Sequence, residues 1–348
     1  MAKQPKCIVI GASAGGFEVI KRMVSQLPAD FEVPIFVVLH IPPSQPSLLA
    51  EILSRSGPLP AIHPKDGTRI RAGSIYVAPP DHHLLIDDGR VAVKRGPKES
   101  GFRPSIDALF RSAAYSFGPR AIGVVLSGAL NDGTSGLWSI KRLGGIAIVQ
   151  DPQEAEFPSM PRSALEYIDA DYTVRSTEIA PLLVSLVQEL PAQAERERYG
   201  TDEEIRRMAI ETQIAAGVNL PEQTIMDLGE LSPFTCPECR GALIAIKEGN
   251  SFRFRCHTGH GFTTDALLEG LTEKLGELIW QVTRSFQEAS MLLQHMAQHL
   301  QEKGESAPAE VFLEKSRELN KQASRFQRVA LDNEILTGDA IEHKQSAD

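Results

Sequence analysis

Up to about residue 175 the chain alternates short β-branched runs with amphipathic stretches, and this pattern leaves few folds open. Strands that alternate with helical crossovers must lie parallel, because a parallel connection needs a return path of a dozen or more residues. The runs Cys7–Ile10, Ile35–Leu39, Ile75–Ala78, Leu84–Asp87, Val91–Lys94, Ala121–Leu126 and Ile146–Gln150 are the candidate strands. Between Ile75 and Lys94 the spacing shortens, and Asp87-Asp88-Gly89-Arg90 reads as a tight turn, so an antiparallel hairpin is expected to interrupt the alternation. The fold class is therefore α/β, with a mostly parallel, doubly wound sheet.

The 348 residues exceed what one core usually supports, about 250 to 300. Residues 1–191 are expected to form the sheet domain. A charged stretch over 192–232 reads as a linker with an isolated helix around Glu203–Ala216, and a compact segment over 233–262 carries two cysteine-containing knuckles. After Thr263-Thr264-Asp265, apolar residues recur at three-four spacing: Leu268, Leu271, Leu275, Leu278, Val282, Phe286, Ala289, Leu292, Met296 and Leu300. Gly304 to Pro308 breaks the repeat, and Phe312, Leu319, Ala323, Phe326 and Ala330 resume it, so residues 263–338 are expected to form a helical hairpin with coiled-coil packing. Residues 339–348 read as a disordered tail.

A net charge of −9 argues against nucleic acid as a partner. No apolar run approaches the 18 or so residues of a membrane span, and Cys7-Ile-Val-Ile10 is too brief for a signal-peptide core. Four cysteines, three of them clustered late, fit a reducing cytoplasm and a metal site better than a disulfide framework.

Gly11-Ala-Ser13-Ala-Gly15-Gly16 follows the first strand and opens a helix near Phe17. This is the context in which G-x-S-x-G forms a nucleophile elbow, with the Ala14 N–H beside the hydroxyl to stabilise an oxyanion. The competing reading is a phosphate loop of a dinucleotide fold, with Gly11, Ser13 and Gly16 at its three glycine positions. Such a site wants an acidic residue after the second strand, and this chain has Val-Leu-His40-Ile-Pro there. Asp132 follows another apolar strand, in Leu126-Ser-Gly-Ala-Leu-Asn-Asp132-Gly. Taken singly, a histidine after a strand and an Asp-Gly turn are everyday features. Together, Ser13, His40 and Asp132 offer a nucleophile, a base to take its proton and a carboxylate to orient the base, each at a strand's carboxyl end. No cofactor is needed for this chemistry.

These stretches, with Tyr76-Val-Ala-Pro-Pro-Asp-His-His83, Arg103-Pro-Ser-Ile-Asp-Ala-Leu-Phe110 and Phe157-Pro-Ser-Met-Pro-Arg162, make Ile8 to Val174 resemble the catalytic domain of the chemotaxis protein-glutamate methylesterase family, CheB. The resemblance implies hydrolysis of glutamate methyl esters, and in some members deamidation of glutamine, on the cytoplasmic helices of chemoreceptors or similar helical signalling proteins. It also implies that Arg103, His83 and Met160 lie near the cleft. Two departures stand out: no receiver domain precedes Ser13, and Ala129-Leu130 occupies the place where the family commonly has Met-Gly, altering the pocket wall while leaving a backbone oxyanion donor there. A non-catalytic regulatory scaffold is the competing function.

Cys236-Pro-Glu-Cys239 and Cys256-His257-Thr-Gly-His260 flank the β-formers Leu243–Ile246 and Phe252–Arg255. This is ligand spacing for tetrahedral zinc, with Cys236, Cys239, Cys256 and either His260 or His257. Four protein ligands make the ion structural, and a segment this small has too little core to fold alone. Phe254-Arg-Cys-His-Thr-Gly-His260 resembles the C-terminal module of stand-alone methylesterase-like proteins. The helical hairpin is expected to serve a homodimer or partner docking. Cys7 is expected to be a small core residue.

Overall fold

A computed structural model describes residues 6–43, 45–189, 199–249, 251–333 and 335–336. The tail expected over 339–348 and the linker residues 192–198 lie outside the described residues. The chain divides into two compact units, residues 1–267 and 268–348.

The first unit is built on a seven-stranded sheet. Its strands are β1 (Cys7–Ala12), β2 (Ile35–Leu39), β3 (Ala61–Ile62), β5 (Ile75–Val77), β8 (Ala121–Val125), β9 (Ile146–Gln150) and β10 (Tyr172–Val174), in the order β10-β9-β8-β1-β2-β5-β3. Every neighbouring pair runs parallel. The expected hairpin exists as β6 (His83–Asp87) and β7 (Arg90–Lys94), with Asp87 opposite Arg90. Asp88 and Gly89 both take positive φ, as a two-residue turn between right-twisted strands requires. With β4 (Thr68–Arg69) the hairpin forms a separate three-stranded sheet instead of entering the main one.

Period-two alternation sorts the strand residues into two apolar layers. Ile8, Ile10, Ile35 and Val37 face a cluster shared with helices α1 (Gly16–Gln26), α2 (Leu49–Ser56) and α6 (Ile179–Glu189). Cys7, Val9, Phe36 and Val38 face the opposite cluster, shared with α3 (Ile106–Phe117), α4 (Thr134–Arg142), α5 (Ser159–Tyr167) and α7 (Asp202–Ala215). The Cys7 thiol is wholly buried, and burial pushes its pKa up, which suits a core residue. Chain direction across the sheet reverses at β1, whose neighbours are β2 and β8. The carboxyl ends of these three strands are where an open α/β sheet forms its crevice.

The helix near Glu203 is not isolated. A capping box between Thr201 and Glu204 starts α7, Met208 enters the apolar layer beside α3, and Glu211 is buried among arginines. After the short α8 (Glu222–Met226), four antiparallel strands follow: β11 (Glu230–Thr235), β12 (Ala242–Glu248), β13 (Ser251–Cys256) and β14 (Gly261–Thr263). They belong to the same compact unit as the parallel sheet.

The helices α9 (Thr264–Glu302) and α10 (Ser306–Asp332) form the hairpin. The seam of α9 differs from the expected stripe. Thr283, Ser290 and Ala297 are buried, seven residues apart, and face a matching small-residue row of Ala309, Ser316, Ala323 and Ala330. Ser290 and Ser316 are hydrogen bonded, and Phe286 stacks on Phe326. Leu275, Leu278, Val282, Leu292 and Met296 are instead exposed. Helix α9 carries two overlapping three-four repeats, and small residues let the helices approach closely along the one with fewer large side chains. On α10 the expected Phe312, Leu319, Ala323, Phe326 and Ala330 do follow the three-four spacing of the seam, Ala323 and Ala330 being buried and Phe326 meeting α9.

Candidate active site

Ser13 and His40 are the residues just beyond the registered pair Ala12 and Leu39 of β1 and β2, and the His40 N–H donates to the Ala12 carbonyl at 3.1 Å. One strand spacing, about 4.8 Å, therefore separates the two backbones. The serine turn is tight: the Ser13 N–H donates to the Ser127 carbonyl, the Gly16 N–H to the Ser13 carbonyl, and Gly15 takes φ 73°. The Ser127 hydroxyl donates to the Ala14 carbonyl at 2.8 Å and locks the turn onto the loop after β8. An added Cβ at Gly128 would lie 2.1 Å from the Met160 sulfur and 2.9 Å from Ser13 Cβ, so only glycine fits between these side chains. Met160, buried at the start of α5, thus flanks the Ser13 loop.

His40 Nε2 lies 2.9 Å from Asp132 Oδ2, and the histidine side chain is almost wholly buried. An ionised carboxylate can only accept, so Nε2 carries the proton and Nδ1 is left basic. Among the described residues Nδ1 is one of few buried side-chain nitrogens with no hydrogen-bond partner. The imidazole lies flat on Phe102, centroids 3.8 Å apart and planes 6° from parallel, which restricts its rotation.

Asp132 is held by groups the sequence reading did not single out. It sits at the N-terminus of α3 and accepts from the Ser105 hydroxyl (3.0 Å), the Ile106 N–H (2.7 Å) and the Asp107 N–H (3.0 Å). Helix-start N–H groups, which have no partner within the helix, and the helix dipole both favour a carboxylate there. Ser105 is also the N-cap of α3, and its own N–H donates to His83 Nδ1. His83 donates through Nε2 to the Pro97 carbonyl, and full burial lowers its pKa, keeping it the neutral tautomer that both contacts need. Asp107 in turn accepts from the Gly133 and Gly136 N–H groups at the start of α4. Burial, together with the Asp132 charge, raises its pKa well above the usual carboxylate range. The use of the α3 start as a carboxylate cradle depends on the fold.

The other expected cleft residues are placed as follows. Arg103 gives its donors to Asp81 and to the Gly96 carbonyl, an arrangement that braces two loops. Ala129 is exposed. Leu130, where the family commonly has glycine, takes φ 64°, a left-handed conformation that costs a side-chain-bearing residue about 1–2 kcal/mol.

Cys236, Cys239, Cys256 and His260 bring their ligand atoms within 4.8 Å of one another. The Cys239 and Cys256 sulfurs are 3.6 Å apart, and His260 Nδ1 lies 3.5 Å from Cys256 Sγ and 3.7 Å from Cys236 Sγ. A tetrahedron of zinc–sulfur bonds has edges of roughly 3.7 Å, so three thiolates and one imidazole in this arrangement fit the ion. His257 packs over Gly241 and is outside the cluster.

A doubly wound sheet with a serine turn on its central strand, and an aspartate-held histidine on the adjoining strand, is an arrangement suited to a hydrolase. Residues 8–183, half of the chain, match the CheB methylesterase family, and the chain belongs to it. A putative protein-glutamate methylesterase/protein-glutamine glutaminase of Leptospira interrogans is 40% identical over 184 residues, covering 53% of this chain and 95% of the relative. Protein-glutamate methylesterase/protein-glutamine glutaminase 4 of Myxococcus xanthus is 38% identical over 159 residues, 45% of each chain. The crystal structure of the Thermotoga maritima CheB methylesterase catalytic domain is 33% identical with a TM-score of 0.51, spanning all of that chain and 53% of this one. No helix among the described residues is long and apolar enough to cross a membrane.

Proposed function

We propose that this protein hydrolyses methyl esters of glutamate side chains on helical, chemoreceptor-type signalling proteins in the cytoplasm, and deamidates glutamine at the same site. The observation that carries the reading is the His40–Asp132 pair, with a partnerless His40 Nδ1, at the strand end beside Ser13. Ser13 Oγ attacks the ester carbonyl carbon as His40 Nδ1 takes its proton. Negative charge builds on the carbonyl oxygen, where the Ala14 N–H, with a second backbone donor at Ala129, stabilises it. The intermediate collapses, the C–O bond to the methoxy group breaks, and methanol leaves with the proton from His40. Water then attacks the acyl-serine, gives a proton to His40, and the same proton returns to Ser13 Oγ as the free glutamate departs. Asp132 stays ionised and steadies the imidazolium.

Methanol release from methylated receptor helices tests this. Ser13→Ala is expected to lower turnover by at least about a thousandfold with unchanged melting, and a serine-directed phosphonate is expected to label wild-type Ser13. Absence of labelling in folded protein selects the scaffold reading, which the unusual Leu130 backbone favours.

Cys236, Cys239, Cys256 and His260 would hold one structural Zn2+ that takes no part in the reaction. Residues 1–191 then serve as catalytic domain, α7 within 192–232 as the piece that packs the metal module of 233–262 onto it, and 263–338 as association hairpin. For the hairpin we assign the exposed α9 row of Leu275, Leu278, Val282, Leu292 and Met296 to self-association. In an antiparallel pair centred near Gln281, Lys274 meets Glu288 of a second copy twice, by symmetry. Sedimentation is expected to give a dimer, and Leu278→Glu with Leu292→Glu a monomer; a wild-type monomer refutes the assignment.

A further inference from the structure

Both members of the base pair are braced by the strand and turn that follow the metal-ligand cluster. On the Asp132 side, the adjoining Asn131 has both ends of its side-chain amide engaged: Nδ2 donates to Asp265 at 2.8 Å, and Oδ1 accepts from the Thr263 hydroxyl at 2.6 Å. Asn131 is nearly fully buried, so each of these bonds is costly to leave unmade. On the His40 side, the stacked Phe102 belongs to a small loop closed by reciprocal backbone bonds between Glu99 and Phe102. That loop is hydrogen bonded to β14 by Ser100 N–H to the Gly261 carbonyl and by Gly261 N–H to the Lys98 carbonyl. Its Glu99 carboxylate is buried between Arg255 of β13 and Arg111 of α3. Gly261 directly follows the cluster residue His260, and Arg255 directly precedes Cys256.

We propose that the Cys/His module positions the catalytic base in cis: Thr263 and Asp265 act through Asn131 on Asp132, and Gly261 with Arg255 acts through the Phe102 loop on His40. This rests on the esterase reading for its effect on turnover, but not for its effect on geometry. Asn131, Phe102 and Thr263 are positioning residues, since none needs to touch the substrate. The arrangement makes the ordering of β13, β14 and the following turn a condition for an aligned His40–Asp132 pair. Small misplacements of a reacting group cost up to about a hundredfold in rate.

The test uses the full chain and two readouts. One is the downfield proton resonance of the His40 Nε2–H bonded to Asp132, which exists whether or not the protein turns over substrate. The other is the separation of kcat from KM for methanol release. Thr263→Val, which removes the hydroxyl donated to Asn131, is expected to broaden or shift the resonance and lower kcat by about ten- to a hundredfold, with KM within about twofold. Thr263→Ser is expected to restore both, and Phe102→Leu to reproduce the loss while keeping apolar volume. The idea is overturned if Thr263→Val and Phe102→Leu, folded by melting temperature, leave the resonance in place. A resonance that responds in a protein with no Ser13-dependent turnover refutes the esterase reading and leaves the positioning role standing.

Discussion

The parallel sheet and the Cys/His module lie in one compact unit but are held together by different physics. The sheet is lined on both faces by Ile, Val and Leu, many with no exposed surface. Between the module and the sheet domain lies a buried cluster of charge: Arg111 on α3, Glu211 on α7, Glu99 in the Phe102 loop, and Arg253 and Arg255 on β13. Apolar burial is forgiving of geometry and indifferent to pH. A buried ion cluster is the reverse, because each charge has lost its water and relies on its counter-charges. The ends of β1, β2 and β8 are therefore held by apolar packing, and the Cys/His module by buried ion pairs that respond to protonation.

The sharpest way to break the contrast is Glu211→Ala, which leaves Arg111, Arg253 and Arg255 short of a carboxylate. A loss of about 3–5 kcal/mol is expected in urea unfolding, and a loss under 1 kcal/mol would show that the cluster is not what it appears geometrically. Leu53→Ala, in the fully buried aliphatic layer, is expected to cost about 2–5 kcal/mol. Unlike the first, it should be insensitive to pH between 3 and 7. Removing metal with a chelator is expected to raise hydrogen exchange in β12, β13 and β14 while β1, β2 and β8 stay protected; equal exchange in both sheets would erase the distinction.

Acid titration comes next in size. Burial alone would raise the carboxyl pKa of Glu99, but Arg111 and Arg255 more than offset it and hold the value at about 2. Glu211 is lowered well below its usual range by Arg111, Arg253 and Arg255 against the same burial. A depressed folded-state pKa contributes stability that is full above the unfolded value, about 4.3, and fades as pH falls toward the folded value. The module contacts are thus expected to loosen between about pH 4 and 2, read by exchange or melting, before the apolar layers do. The smallest effect is expected at Leu130→Gly, where relief of the left-handed backbone and the added chain entropy nearly cancel, to within about 1 kcal/mol.

The strands of the sheet were legible because each is a local run whose period-two pattern needs no partner to be read. Ile35–Leu39 and Ile146–Gln150 emerged with the expected bounds. The two-residue strands β3 and β4 carry too little pattern to be seen, and β10 is a short edge strand. Ser13, His40 and Asp132 were singled out from their place after strands, and Cys236, Cys239 and Cys256 from spacing; the fold brings His40 to Asp132 and the three cysteines to one another. What stayed hidden was the support around them. The Ser105–Asp107 cradle lies 25 to 27 residues before Asp132 in the chain, and Asn131 meets partners 132 and 134 residues away.

The α9 repeat makes the same point from the other side. Its three-four spacing was plain, yet it supports two apolar rows, and only the small-residue face of α10 determines which one becomes the seam.

The sequence alone determined the parallel α/β class, the tight serine turn and the Cys/His spacing, because each follows from sterics and periodicity within a few neighbouring residues. Tertiary structure decided which imidazole joins the cysteines, what holds Asp132 and Phe102, and which face of α9 is covered. Those outcomes depend on buried polar groups finding partners across long chain separations, and only the packed fold brings the partners within reach.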